Sequence, residues 1–164
     1  MIKLIVLDVD GCLTDGKIIY SSTGEETKNF NVKDGLAISS WVKMGRHVAI
    51  ITGRNSKIVE KRAKELGIKF LFQGVKEKEK VLNELIDSLE IKYHEVAAIG
   101  DDLNDYKMLS KVGRSFTPKD GVKEIRELVN TTLTCNGGEA AVREMIDIIV
   151  DENDLQEQFL SIWL

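Results

Sequence analysis

The chain has 164 residues, 43% hydrophobic and 30% charged, enough for one domain with a substantial core and too few for two comfortable ones. A formal net charge of −4 argues against a general nucleic-acid or anionic-membrane surface. Only two histidines, His47 and His94, and two cysteines without metal-type spacing, Cys12 and Cys135, exclude a His-rich metal centre and leave acid–base chemistry to carboxylates.

In chain order, short apolar runs alternate with amphipathic patterns. "KLIVLD" (3–8), "HVAIIT" (47–52), "FLF" (70–72) and "VAAIG" (96–100) read as strands buried on both faces, as in a parallel sheet. Between the first two lies "GKIIYSSTGEETKNFNV" (16–32), which reads as two strands joined by a turn around Ser21–Glu25 and predicts a β-hairpin projecting from the sheet. Its Ile18, Ile19, Tyr20, Phe30 and Val32 are more apolar surface than a lone hairpin tolerates in water. Either the hairpin folds onto its own domain or it forms an oligomer interface.

Helices are expected over 34–44, 55–66, 77–90, 103–111, 121–129 and 138–150, with short strands at 114–116 and 131–134. Asp34 suits the N-cap of the first helix, Asp15 a turn, Cys12 a small filler, and the glycines at 137–138 a flexible turn. The tail, 151–164, contains an amphipathic stretch expected to dock on the body or on a neighbour. The alternation predicts an α/β fold, a doubly wound parallel sheet in a single domain spanning 1–164. No apolar run approaches about 18 residues and the N-terminus lacks a signal-peptide pattern, so a cytoplasmic protein with free thiols is expected.

In such sheets ligands bind at the carboxyl ends of the strands. Asp8 and Asp10 follow the first strand, Thr52, Gly53 and Arg54 the second, Lys76 and Lys78 the third, and Asp101, Asp102 and Asp105 the fourth. Like charges crowded together imply a cation among them. The collection suits phosphoryl transfer to a carboxylate, which is ionised at neutral pH and needs only relief from repulsion by the phosphate. Mg²⁺ supplies that relief and prefers oxygen ligands. Asp8 is the candidate nucleophile and Asp10, two residues on, can reach the leaving oxygen as general acid and then water as general base.

"DVDGCLTDG", "ITGR", the lysine of "QGVKEKEKVL" and "GDDLND" together resemble the four ordered motifs of the haloacid dehalogenase superfamily of phosphohydrolases. The resemblance implies that Asp8, Asp101 and the backbone carbonyl of Asp10 bind Mg²⁺, and that Thr52, Gly53 and Lys78 bind phosphate. Among Lys76, Lys78 and Lys80 it selects Lys78. It also implies that Asp105 orients that lysine, with Asp102 beside it.

The gaps between motifs are too short for the cap domain most members carry. With "FNVKDG" (30–35) and "GGEAAVRE" (137–144), the chain resembles the capless subgroup of 3-deoxy-D-manno-octulosonate 8-phosphate phosphatases, which includes relatives acting on nine-carbon sialic-acid-type phosphates. Glu139 and Ala140 depart from that subgroup's pattern. The resemblance implies a sugar-acid phosphate as substrate, Lys33, Arg54 and Arg62 as candidates for its carboxylate, and a homotetramer built through the hairpins. The competing readings are another small phosphate ester as substrate, or a catalytically silent oligomerisation module. The latter would be expected to lose Asp8, Asp10 or Asp101, and all three are present.

Overall fold

The computed structural model describes residues 1–164. Six parallel strands form the main sheet in the order β5-β4-β1-β6-β7-β8: β1 is Leu4–Leu7, β4 His47–Ile51, β5 Phe70–Phe72, β6 Val96–Ile99, β7 Arg114–Thr117 and β8 Thr131–Thr132. The central strand β1 pairs with β4 on one side and β6 on the other, so its backbone groups are satisfied on both edges. All four of its residues are buried, as its unbroken apolar run requires.

Successive side chains of a strand point to opposite faces, and here they sort into two cores. Ile5, Leu7, Val48, Ile50, Ala97 and Ile99 pack with helices α1 (Val32–Lys43), α2 (Lys57–Glu65) and α6 (Ala141–Glu152). Leu4, Val6, Ala49, Ile51, Val96 and Ala98 pack with α3 (Lys78–Ser88), α4 (Tyr106–Leu109) and α5 (Lys123–Leu128). This is the predicted doubly wound arrangement, without a cap domain. No helix is long and apolar enough to cross a membrane.

The hairpin is present but shorter than its sequence span. β2 (Ile19–Tyr20) and β3 (Glu26–Thr27) pair antiparallel for two residues each, with Ile19 opposite Thr27 and Tyr20 opposite Glu26. Ile18, Ile19 and Tyr20 are exposed on it, as is Val32 at the start of α1.

Several boundaries differ from the periodic pattern. The cap of α1 is Asn31, whose side chain accepts from Lys33 N, and not Asp34. Asp34 is instead buried within the helix, where one oxygen accepts a hydrogen bond from the backbone N–H of Arg143 at 2.7 Å. The 103–111 segment is a tight turn, Leu103–Asp105, followed by the single-turn helix α4. Helix α6 begins at Ala141 because Gly138 (φ 76°) and Ala140 (φ 71°) hold left-handed backbone that a helix cannot include. The tail forms α7 (Gln156–Ser161) and docks on its own body: Phe159 is buried, and Trp163 Nε1 donates to Ser40 Oγ at 2.9 Å.

Candidate active site

The carboxyl ends of β1, β4 and β6 open into one cleft of about 270 Å³, lined by Asp8, Asp10, Gly16, Thr52, Gly53, Arg54, Asp101, Asp102 and Asn104. No apolar side chain lines it, so it suits a strongly polar ligand group.

Asp8 leaves β1 at the centre of the sheet and is 4% exposed. The chain then makes one wide helical turn, Val9–Leu13, interrupted at Asp10 and Gly11. Gly11 has φ +93°, and a Cβ there would stand 1.9 Å from Asp101 Oδ2. Its conformation favours glycine, and a side chain there would push the Asp101 carboxylate from its place. Gly137 and Gly138 press against the same turn: Gly138 N donates to Cys12 O at 3.0 Å, and a Cβ on Gly137 would meet Gly11 O at 1.8 Å. The glycine pair thus supports the Asp8–Asp10 turn by backbone contact, a tighter role than a flexible connection.

Lys78 begins α3, 2% exposed, and reaches under the cleft. Its Nζ donates to Asp8 Oδ1 at 2.7 Å and to Asp105 Oδ1 at 2.6 Å. Burial pulls the lysine's pKa down, but the charges of Asp8 and Asp105 outweigh it and hold the pKa above its ordinary value. Asp105 takes a second bond on Oδ2 from Asp101 N at 3.1 Å, so it ties the lysine to the β6 end.

The remaining balance is negative. Burial, then the charge of Asp105, pushes Asp8 up to about 6 against the pull of Lys78. Burial, then the charges of Asp8, Asp105 and Asp102, pushes Asp101 up to about 8. Lys78 pairs with Asp8 and Asp105 and leaves Asp101 without a cationic partner, and oxygen atoms of Asp8 and Asp101 lie within 4.8 Å of each other. That donor set fits a hard divalent cation such as Mg²⁺. Cys12 Sγ lies within the same radius, but burial, then the charges of Asp8 and Asp101, pushes its pKa well up. It stays a thiol packed in the core.

Of the other residues singled out from sequence, Thr52 is buried at the cleft with Gly53 beside it. Asp102 caps the following turn by accepting from Leu103 N, with its carboxylate at the cleft rim. Arg54 reaches the rim too, but its guanidinium donates to Glu26 Oε1 at 3.0 Å and Tyr20 Oη at 3.4 Å on the hairpin. Lys33 and Arg62 are not brought to the cleft of their own chain. Lys33 lies along α6 near Arg143, and Arg62 pairs with Glu65 and sits over the Phe30 ring. Two further residues, Lys28 beside Asp10 and Asn104 at the cleft, carry little sequence signal. Lys28 Nζ lies 2.5 Å from Asp10 Oδ1 and 3.2 Å from Glu26 Oε1, with its side chain 1% exposed. Its one sequence signal is the two-residue spacing from Glu26, which puts both on one face of an extended strand.

A family model described as haloacid dehalogenase-like hydrolase matches residues 31–113. The 3-deoxy-D-manno-octulosonate 8-phosphate phosphatase KdsC of Yersinia pestis is 40% identical over 156 residues, covering 95% of this chain and 83% of that protein. KdsC of Escherichia coli strain K12 is 41% identical over 149 residues, 91% of this chain and 79% of its own. Among solved structures, the 3-deoxy-D-manno-octulosonate 8-phosphate phosphatase of Moraxella catarrhalis, in complex with a magnesium ion, a phosphate ion and a KDO molecule, superposes with a TM-score of 0.94 at 41% identity, covering 99% of this chain and 94% of that one.

Proposed function

The chain belongs to the haloacid dehalogenase-like hydrolases, and from that premise we propose that it is a Mg²⁺-dependent phosphatase cleaving 3-deoxy-D-manno-octulosonate 8-phosphate to the free sugar acid and phosphate. The observation that carries the reading is the buried Asp8 carboxylate, held by Lys78 at 2.7 Å in a wholly polar cleft beside Asp10 and Asp101. The similarity to phosphatases of that sugar acid supports the choice of substrate.

Asp8, Asp101 and the carbonyl of Asp10 would hold the metal, which when bound offsets the repulsion between a carboxylate nucleophile and a phosphate dianion. Lys78, Thr52 and the backbone at Gly53 hold the phosphate oxygens. An Asp8 oxygen attacks phosphorus as the bond to the sugar oxygen breaks, and Asp10 passes a proton to that leaving oxygen. Water then attacks the phosphoryl group on Asp8 while Asp10 takes its proton, which restores Asp8 and releases phosphate.

The exposed apolar residues of the hairpin, Ile18, Ile19 and Tyr20, and Val32 form the surface through which we read a homotetramer. Of the candidates for the substrate carboxylate, Lys33, Arg54 and Arg62, Arg54 is the one at the rim of this chain's cleft. Light scattering on the purified protein tests the assembly, and a monomer overturns it.

Phosphate release from eight-carbon and nine-carbon keto-acid phosphates and from hexose phosphates, with wild type and Asp8→Asn, tests the activity. Preference for the eight-carbon ester and a silent variant are expected. Preference for a nine-carbon or hexose phosphate overturns the substrate, and an active Asp8→Asn enzyme overturns the mechanism.

A further inference from the structure

The hairpin does more in this chain than expose Ile18, Ile19 and Tyr20. Lys28 lies just beyond β3, and its ammonium is inserted between Asp10 Oδ1 (2.5 Å) and Glu26 Oε1 (3.2 Å). The side chain is 1% exposed, so four methylenes and a charge have been withdrawn from water to reach Asp10. Glu26 in turn receives Arg54, which follows the phosphate-site residues Thr52 and Gly53. The hairpin is therefore fastened to the cleft twice, once at each of the two segments that flank the reacting phosphate. Asp10 has no other side-chain partner: its Oδ1 is taken by Lys28, its Oδ2 meets no donor of the chain, and the residue lines the cleft.

We propose that Lys28 is a positioning residue, clamping one oxygen of Asp10 so that the other is presented to the leaving oxygen of a phosphate ester bound at Asp8. The physical reason is rotational. An aspartate terminal torsion is broad and roughly two-fold, so a carboxylate on a short, irregular turn does not hold one orientation unaided. A single buried ion pair from a separate element fixes it, and general acid catalysis depends on that orientation before it depends on anything else. The inference rests on the phosphatase reading above.

The test is the leaving-group dependence of kcat/KM, which reports the step that forms the phosphoryl–Asp8 bond. Alkyl phosphates need a proton on the departing oxygen and p-nitrophenyl phosphate does not. In Lys28→Met, kcat/KM should fall roughly tenfold or more for an alkyl phosphate and stay within about threefold of wild type for p-nitrophenyl phosphate. Lys28→Arg should recover much of the alkyl activity. The double variant Lys28→Met/Asp10→Asn should be no slower on the alkyl ester than Asp10→Asn alone. An equal loss on both esters, or full additivity in the double variant, overturns the proposal and leaves Lys28 a merely structural anchor. Asp8→Asn measured alongside separates the two claims. Its activity bears on the phosphatase reading, whereas the ratio between esters bears only on Lys28. Melting curves of each variant identify an unfolded protein, in which case Lys28→Arg and its ester ratio decide.

Discussion

Asp105 accepts a hydrogen bond from Lys78 at 2.6 Å, and neither side chain is more than 1% exposed. The pair joins the start of α3 to the end of β6 beneath the cleft. It gives Lys78 a fixed direction, toward Asp8, which a lysine on a helix start in water would not have.

Replacing Asp105 with Ala should therefore damage both fold and site. The lysine loses one of its two partners in a buried position, a loss of the kind worth about 3 kcal/mol. A fall in denaturation midpoint should accompany at least a hundredfold fall in kcat, as expected when a group that aligns a phosphate-binding cation is removed. Wild-type turnover in Asp105→Ala would show that Asp8 alone orients Lys78.

The acidic cluster makes metal binding and pH interdependent. Asp8 is raised to about 6 and Asp101 to about 8, above the 3.8 of a free aspartate, so between about pH 4 and pH 8 the metal-free native state holds protons that the unfolded chain does not. By linkage these groups make the metal-free protein more stable as pH falls through that window, and less stable as pH rises through it. A divalent cation must displace those protons. The rise in melting temperature on adding Mg²⁺ should be larger at pH 8 than at pH 6, and EDTA should remove it at both. Thermal melts over that range, with and without metal, check the sign; an equal metal increment at pH 6 and pH 8 would contradict it.

Gly137→Ala places a methyl 1.8 Å from the Gly11 carbonyl, with Thr14 O at 2.9 Å behind it. Neither obstacle is a flexible side-chain end, so backbone has to move. A loss of about 1–3 kcal/mol is expected. Because the displaced backbone carries Asp10, kcat should fall even where the protein remains folded at the assay temperature. Chemical denaturation and steady-state rates measure the two effects separately.

Ala140 is a non-glycine residue at a left-handed position, φ 71°. An L-residue there is disfavoured by roughly 1–2 kcal/mol. Glycine relieves this but makes the unfolded chain more flexible by about 0.4–1 kcal/mol. Ala140→Gly should therefore leave the protein more stable by up to about 1.6 kcal/mol, read as a higher denaturation midpoint with unchanged slope.

Much of the fold was legible because buried parallel strands and amphipathic helices announce themselves by local periodicity. The strands at 4–7, 47–51, 70–72 and 96–99 fall inside the predicted runs, and α2 and α3 fall within one or two residues of theirs. Asp34 was not legible: an aspartate near a helix start reads as a cap, and nothing local says that the backbone of Arg143 will arrive to use it. The glycine pair at 137–138 likewise reads as a turn until the Gly11 turn is packed against it.

By itself the sequence determined the sheet, its helices and the edge at which Asp8, Asp10, Thr52, Lys78 and Asp101 gather, because strand ends in a parallel sheet are set by hydrophobic pattern and topology alone. Only the tertiary structure decided which charges pair. Lys28 reaches Asp10 from 18 residues away, Lys78 reaches Asp8 from 70, and Arg54 turns to the hairpin. Ion pairs depend on distances of a few ångströms and on the exclusion of water, and neither exists until the separate elements have packed.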